Sequence, residues 1–153
     1  MIEFLKRKNP YPNKIDSISL FAVKNRFDLL QIVYRETDDF LENFRIIDYS
    51  ANYGKLEVVQ FLTETGASCS VNALDFAARK GHLEVVKFLH LNRSEGCYRA
   101  LLSASKYGHF EVVKYLVENS LGMNRIQRAI ELAEEGGHLK IVKYLEDYVG
   151  GLV

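Results

Sequence analysis

Residues 77–86 of the chain read AARKGHLEVV, and this short stretch has counterparts further along the sequence. Residues 104–113 read ASKYGHFEVV, and residues 133–142 read AEEGGHLKIV. When five such stretches are aligned, one turn-forming anchor residue falls at the same place in each: Asn25, Gly54, Gly81, Gly108 and Gly137. The spacings between these anchors are 29, 27, 27 and 29 residues. A fixed period of this length is typical of stacked supersecondary units, so the sequence predicts a repeat array rather than one globular core.

Each repeat carries the pattern of two helices separated by its anchor. The positions four, five and eight residues after the anchor are apolar in all five repeats, as in Val85, Val86 and Leu89. This spacing is that of a helix with one wide buried face. The position seven residues before the anchor is also apolar, and small residues dominate three and four residues before it. We therefore expect a first helix that approaches its neighbours closely, a turn at the anchor, and a second buried helix.

The motif A-A-x-x-G-H-x-x-V-V, complete at residues 77–86 and nearly so around Gly108 and Gly137, strongly resembles that of ankyrin repeats. The resemblance covers about residues 15–147. It implies an all-α, ankyrin-type helix–turn–helix solenoid. The repeats here are several residues shorter than the usual length of about 33, and they lack the T-P-L-H start of the first helix. Since the missing residues fall in the connectors, we expect shortened or absent β-hairpin fingers.

The same register predicts how the chain is organised from end to end. Residues 1–14 are predicted to form an N-terminal half-repeat that acts as a cap, residues 15–148 the five repeats, and residues 149–153 a C-terminal tail. Glu134 replaces the small residue that the other repeats carry at its position. A polar outer face is what a terminal repeat requires, so we expect the array to end with this repeat.

Composition and charge narrow the classes of function. Twenty basic and twenty acidic residues give a formal net charge of zero, which argues against a nucleic-acid binder. No apolar run approaches the length of about 18 residues that a membrane span needs. The N-terminus does not read as a signal peptide. We expect a monomer in the cytoplasm or nucleus. The short repeat is similar to ankyrin arrays abundant in protists and in the large viruses that infect them. If the protein is viral or an effector, we expect it in the cytosol of the host.

The recurring histidines His82, His109 and His138 invite a metal or catalytic interpretation. Each follows its anchor and lies about one repeat from the next, near 10 Å, whereas direct zinc ligation needs bonds of about 2.0–2.1 Å to a single ion. We interpret them instead as turn histidines that bond to local backbone, as the ankyrin resemblance implies. No nucleophile elbow, phosphate loop or metal-binding motif occurs in the sequence. We therefore predict no enzyme, no metal and no cofactor.

The candidate binding residues are those that recur without being needed inside. Positions one and two before each anchor align at the ends of the first helices, and the ankyrin resemblance puts them on the concave face. Tyrosines alternate there with basic residues, and tyrosine and arginine are enriched in binding hot spots. The positions six before the anchor, Asp48 among them, flank this row. The candidate residues are Lys24, Asn52, Tyr53, Arg79, Lys80, Lys106 and Tyr107.

These residues suggest a non-catalytic module that binds another protein, possessing an acidic or phosphorylated segment, on the concave face. One alternative keeps the fold and assigns a regulatory or effector role, in which the array inhibits or retargets a cellular enzyme. A third hypothesis, a nucleic-acid binder using Arg79, Lys80 and Lys106, is disfavoured by the net charge of zero. The sequence does not choose between the first two.

Overall fold

The structure is a computed structural model that describes residues 44–67, 70–92, 96–120 and 126–151. Eight α-helices occupy these ranges, and no strand occurs within them, so the predicted all-α fold is confirmed. In chain order the helices are α1 (Phe44–Asn52), α2 (Leu56–Glu64), α3 (Asn72–Arg79), α4 (Leu83–Asn92), α5 (Cys97–Lys106), α6 (Phe110–Ser120), α7 (Gln127–Glu135) and α8 (Leu139–Val149). The predicted cap at residues 1–14 and the first repeat around Asn25 lie outside the described residues.

Each described repeat is a pair of helices that reverses direction at its anchor glycine. The four anchors in the described ranges, Gly54, Gly81, Gly108 and Gly137, have φ of +67°, +73°, +79° and +72°. In every case the residue after the glycine donates its N–H five residues back, as His82 does to the Ala77 carbonyl at 3.0 Å. This bond and the left-handed glycine together form a Schellman motif, which satisfies the last carbonyls of the first helix.

The helices form two layers, with α1, α3, α5 and α7 in one and α2, α4, α6 and α8 in the other. The first helices pack on one another more closely than the second helices do. Small side chains explain the difference, because Ala51, Ala78 and Ser105, each three residues before its anchor, are completely buried. None of the helices in the described ranges is long and apolar enough to cross a bilayer.

The core is a continuous column that runs through the stack. The positions four, five and eight after the anchor and the position seven before it are buried in all four described repeats, as the periodicity predicts. Half-buried aromatic rings close the column on the second-helix side. The fully buried large side chains include Ile47, Leu62, Leu101, Leu116, Ile141 and Leu145.

The last described repeat presents a different surface where a neighbour would pack. Glu134 is exposed, although Ala51, Ala78 and Ser105 at the same repeat position are completely buried. Leu139 is 76% exposed, whereas Leu83 at its repeat position is partly buried against the core. A further helix pair stacked on this face would bury the Glu134 carboxylate, which is unfavourable unless the carboxylate finds a partner.

Candidate functional site

The C-terminal ends of the first helices are held in register by the recurring histidines. The Nε2 atom of His82 lies 3.1 Å from the carbonyl oxygen of Asn52, and that of His109 lies 2.8 Å from the carbonyl oxygen of Arg79. His138 repeats the contact on the carbonyl of Lys106, at 3.1 Å. Because a carbonyl only accepts hydrogen bonds, Nε2 carries the proton and donates in each case.

These bonds correct the predicted role of the histidines. The expected partner was local backbone, but each ring reaches the preceding repeat, about one full repeat back in the chain. The rings therefore link consecutive repeats. No cluster of three or more His, Cys, Asp or Glu side chains suited to a metal ion occurs in the part of the chain that the structure describes.

Three of the anchor glycines, Gly54, Gly81 and Gly108, accommodate these rings. A Cβ atom added to Gly54 would lie 2.6 Å from Nδ1 of His82, and one added to Gly81 would lie 2.5 Å from Nδ1 of His109. A real Cβ atom essentially never lies within 3.0 Å of another heavy atom, so the ring of the next repeat occupies the space that a side chain would need. Glycine is therefore favoured at these positions for two reasons, its positive φ and the close approach of the histidine ring.

Another histidine contact joins two of the second helices, α4 and α6. Nδ1 of His90 lies 3.0 Å from the hydroxyl oxygen of Tyr115, and the two rings meet edge to face with centroids 5.6 Å apart. No role for His90 was predicted, since its partner comes 25 residues later on another helix. This contact is a further link between adjacent repeats.

The predicted binding residues in the described ranges lie in a row along these helix ends. We call Asn52, Tyr53, Arg79, Lys80, Lys106 and Tyr107 the stripe; the remaining predicted residue, Lys24, lies outside the described residues. All stripe side chains are exposed except that of Asn52, which is half-buried. Tyr53 and Tyr107 keep 49% and 43% of their surface exposed.

Two stripe residues from adjacent repeats touch each other. The guanidinium carbon of Arg79 lies 4.9 Å from the centroid of the Tyr107 ring, which is within the range of a cation–π contact. Stacking restricts the guanidinium to the ring face while its N–H groups stay available to solvent. The tyrosines and basic residues that alternate along the stripe are therefore in direct contact at Arg79 and Tyr107.

An open pocket of about 420 Å³ lies beside the stripe, between α1 and α3. It is lined by Asp48, Tyr49, Asn52, Asn72 and Phe76, and Asn52 belongs to both the pocket and the stripe. Periodicity placed Asp48 next to the stripe, but the pocket itself was not predicted. Its walls come from two repeats, so no single repeat carries a sequence signal for it.

The Asp48 carboxylate is only partly satisfied. Its Oδ2 atom accepts a hydrogen bond from the Ser70 hydroxyl at 2.6 Å. Its Oδ1 atom is inaccessible to solvent and has no hydrogen-bond partner among the described residues. Burial raises the pKa of Asp48, and hydrogen bonds from Ser70 oppose that shift without cancelling it.

Paired helices that turn at a glycine and stack in two layers define a helical repeat solenoid. A family model described as ankyrin repeats (3 copies) matches residues 74–150, and one described as ankyrin repeats (many copies) matches residues 47–90. The chain belongs to the ankyrin-repeat family. A comparison with curated proteins returned no match. Ankyrin repeats are generally protein–protein interaction modules, and the family is typically non-catalytic.

Proposed function

We propose that this array binds an acidic or phosphorylated segment of another protein through the stripe. The observation that carries the proposal is the stacking of Arg79 on Tyr107. A stacked guanidinium loses less conformational freedom on binding than a free one, and its planar fork suits carboxylate and phosphate groups. The contact thus combines a pre-organised charge with an exposed aromatic surface.

The neighbouring residues support the same kind of partner. Lys80 and Lys106 are exposed beside Arg79 and Tyr107, so three cations lie at the ends of two adjacent first helices. The histidine bonds hold these helix ends in register, which fixes the spacing of the charges. The closer packing of the first helices favours curvature toward their layer, which supports a concave face on the stripe side.

The test is capture of partners from a lysate of the source organism by the native chain and by charge-reversed variants. The stripe variant is Lys80→Glu/Lys106→Glu. The matched control, Lys114→Glu/Lys143→Glu, makes the same change of charge at exposed positions on the second helices. We expect a protein captured by the native chain and by the control, identified by mass spectrometry, to be lost from the stripe variant.

A second variant tests the aromatic part of the stripe. Tyr53→Ala/Tyr107→Ala removes two half-exposed rings and leaves the core intact, so circular dichroism should show an unchanged fold. Binding to the partner found above should weaken. If this variant and the lysine variant both bind that partner as tightly as the native chain does, the site lies off the stripe. Nuclease treatment of the lysate distinguishes a protein partner from capture through nucleic acid.

A further inference from the structure

Two positions of adjacent first helices face each other at the interface of α3 and α5. The residue six before the anchor of one repeat lies opposite the residue nine before the anchor of the next. At the interface of α3 and α5 these residues are Asp75 and Arg99, whose Oδ2 and Nη2 atoms are 3.8 Å apart. Ser103 donates a hydrogen bond to the other carboxylate oxygen of Asp75, at 2.5 Å. Both oxygens of Asp75 thus have a partner.

The preceding interface, between α1 and α3, has the same acid without the base. Asp48 is the repeat equivalent of Asp75, and Asn72 is the repeat equivalent of Arg99. Asparagine is shorter than arginine and neutral, so it neither fills the space nor balances the charge. The pocket of about 420 Å³ lies where the arginine side chain would be, and Oδ1 of Asp48 has no partner among the described residues.

The other walls of the pocket are also suited to a cation. Tyr49 and Phe76 contribute aromatic rings, whose faces attract ammonium and guanidinium groups and cover their aliphatic stems. The terminal torsion of an aspartate has a broad minimum, so the carboxylate can rotate relative to the Ser70 hydroxyl and expose its buried Oδ1 to the pocket when a cation binds. The amides of Asn52 and Asn72 line the same space. A volume of this size is within the range of small-ligand sites, about 300–1,000 Å³.

We propose that this pocket receives a basic side chain, arginine or lysine, from the partner protein. The cation would take the place that Arg99 holds beside Asp75 in the next repeat. The inference rests on the proposed function, because it assumes a protein partner. Since Asn52 joins the pocket to the stripe, the partner segment would present its basic side chain to the pocket and its acidic stretch to the stripe.

The pocket can be tested without knowing the partner. The probes are N-acetyl-arginine methylamide, its lysine analogue, and the citrulline analogue, which matches arginine in shape but is neutral. Each is titrated into the labelled protein and followed by the amide resonances of the pocket residues. We expect saturable shifts at Asp48, Asn52 and Asn72 with arginine or lysine, the tighter of the two identifying the preferred residue. Citrulline should bind about two- to fivefold more weakly.

Matched variants assign the effect to the pocket. Asp48→Asn should weaken binding of the cationic probes about two- to fivefold. Asp75→Asn makes the same change one repeat later, where the carboxylate already has a basic partner, and should leave probe binding unchanged. Asn72→Arg should place a guanidinium beside Asp48 and abolish probe binding. Circular dichroism confirms that each variant is folded.

Several results would overturn the proposal. Equal binding of the citrulline and arginine probes would show that the charge is not recognised. Unchanged probe binding in Asp48→Asn or Asn72→Arg would show that the probes bind outside the pocket. Failure of the proposal that the stripe binds the partner can be distinguished from failure of the pocket proposal. If the probes bind the pocket while the variant Lys80→Glu/Lys106→Glu still captures the partner, the pocket proposal is supported and the proposal that the stripe binds the partner is wrong. Loss of capture without probe binding would instead support the stripe and overturn the pocket.

Discussion

Substituting alanine at Gly81 tests whether the histidine of one repeat is seated on the glycine of the preceding one. Gly81 has φ of +73°, and an added Cβ would lie 2.5 Å from Nδ1 and 2.9 Å from Cε1 of His109. The atoms in the way belong to a rotatable side chain and not to backbone. The ring is therefore expected to swing aside and to release the carbonyl of Arg79, which it contacts at 2.8 Å.

The expected loss of stability has two parts. Holding alanine in the left-handed region costs about 1–2 kcal/mol. Loss of the hydrogen bond from His109 adds about 0.5–1.5 kcal/mol. The free energy of unfolding of Gly81→Ala should therefore fall by about 1.5–3.5 kcal/mol.

Gly66 provides a matched control within the same array. It follows α2 with φ of +83°, and among the described residues other than its chain neighbours no atom lies within 4 Å of an added Cβ. The Ala67 N–H bonds to the Leu62 carbonyl at 2.9 Å, so the turn is again a Schellman motif. Gly66→Ala should therefore show the backbone cost alone, about 1–2 kcal/mol. Urea unfolding followed by circular dichroism compares the two variants, with equal m-values as the check that the same transition is measured.

A double-mutant cycle with His109→Ala separates the ring from the backbone. In the variant that lacks the ring, Gly81→Ala should cost only what Gly66→Ala costs. The reasoning is refuted if Gly81→Ala and Gly66→Ala destabilise equally in the native background, or if removing the ring leaves the cost of Gly81→Ala unchanged.

Three further predictions concern buried groups, each read from urea unfolding. Ser105→Ala should stabilise the protein by about 1 kcal/mol, because its buried hydroxyl has no partner among the described residues, and no gain would contradict this. Asp48→Asn should stabilise the protein at neutral pH. The gain should shrink as the pH falls through the raised pKa of Asp48, and should be largely lost by about pH 4, the pKa of an unfolded aspartate, because the native carboxyl is then protonated; a gain independent of pH would exclude this cause. Leu101→Ala should cost about 2–5 kcal/mol, since the side chain is fully buried. Leu139→Ala, 76% exposed, should cost less than about 0.5 kcal/mol, and similar losses would show that the core assignment is wrong.

Most of the repeat could be predicted because its determinants are local. Apolar residues four, five and eight after the anchor, such as Val112, Val113 and Leu116, specify a helix with one buried face in each repeat separately. The anchor glycine specifies the turn, because only glycine takes a positive φ without strain. The stripe residues lie at the helix ends for a similar reason, since a fixed period puts equivalent positions in a row.

Contacts between repeats could not be predicted in the same way. They depend on how far one helix pair is shifted and rotated against the next, and many side chains set that offset together. The ring of His109 was expected to bond to its own turn, but the stacking offset brings it to the Arg79 carbonyl, 30 residues earlier.

The sequence by itself determined the helix pairs, their turns, the core column and the family, because each depends on residues within one period of 27 to 29. Only the tertiary structure decided which side chains meet across the interfaces. It joined Arg79 to Tyr107, and it left Asp48 opposite Asn72 where the next repeat pairs Asp75 with Arg99. The physical reason is that a pocket between stacked units exists only once both units are in place.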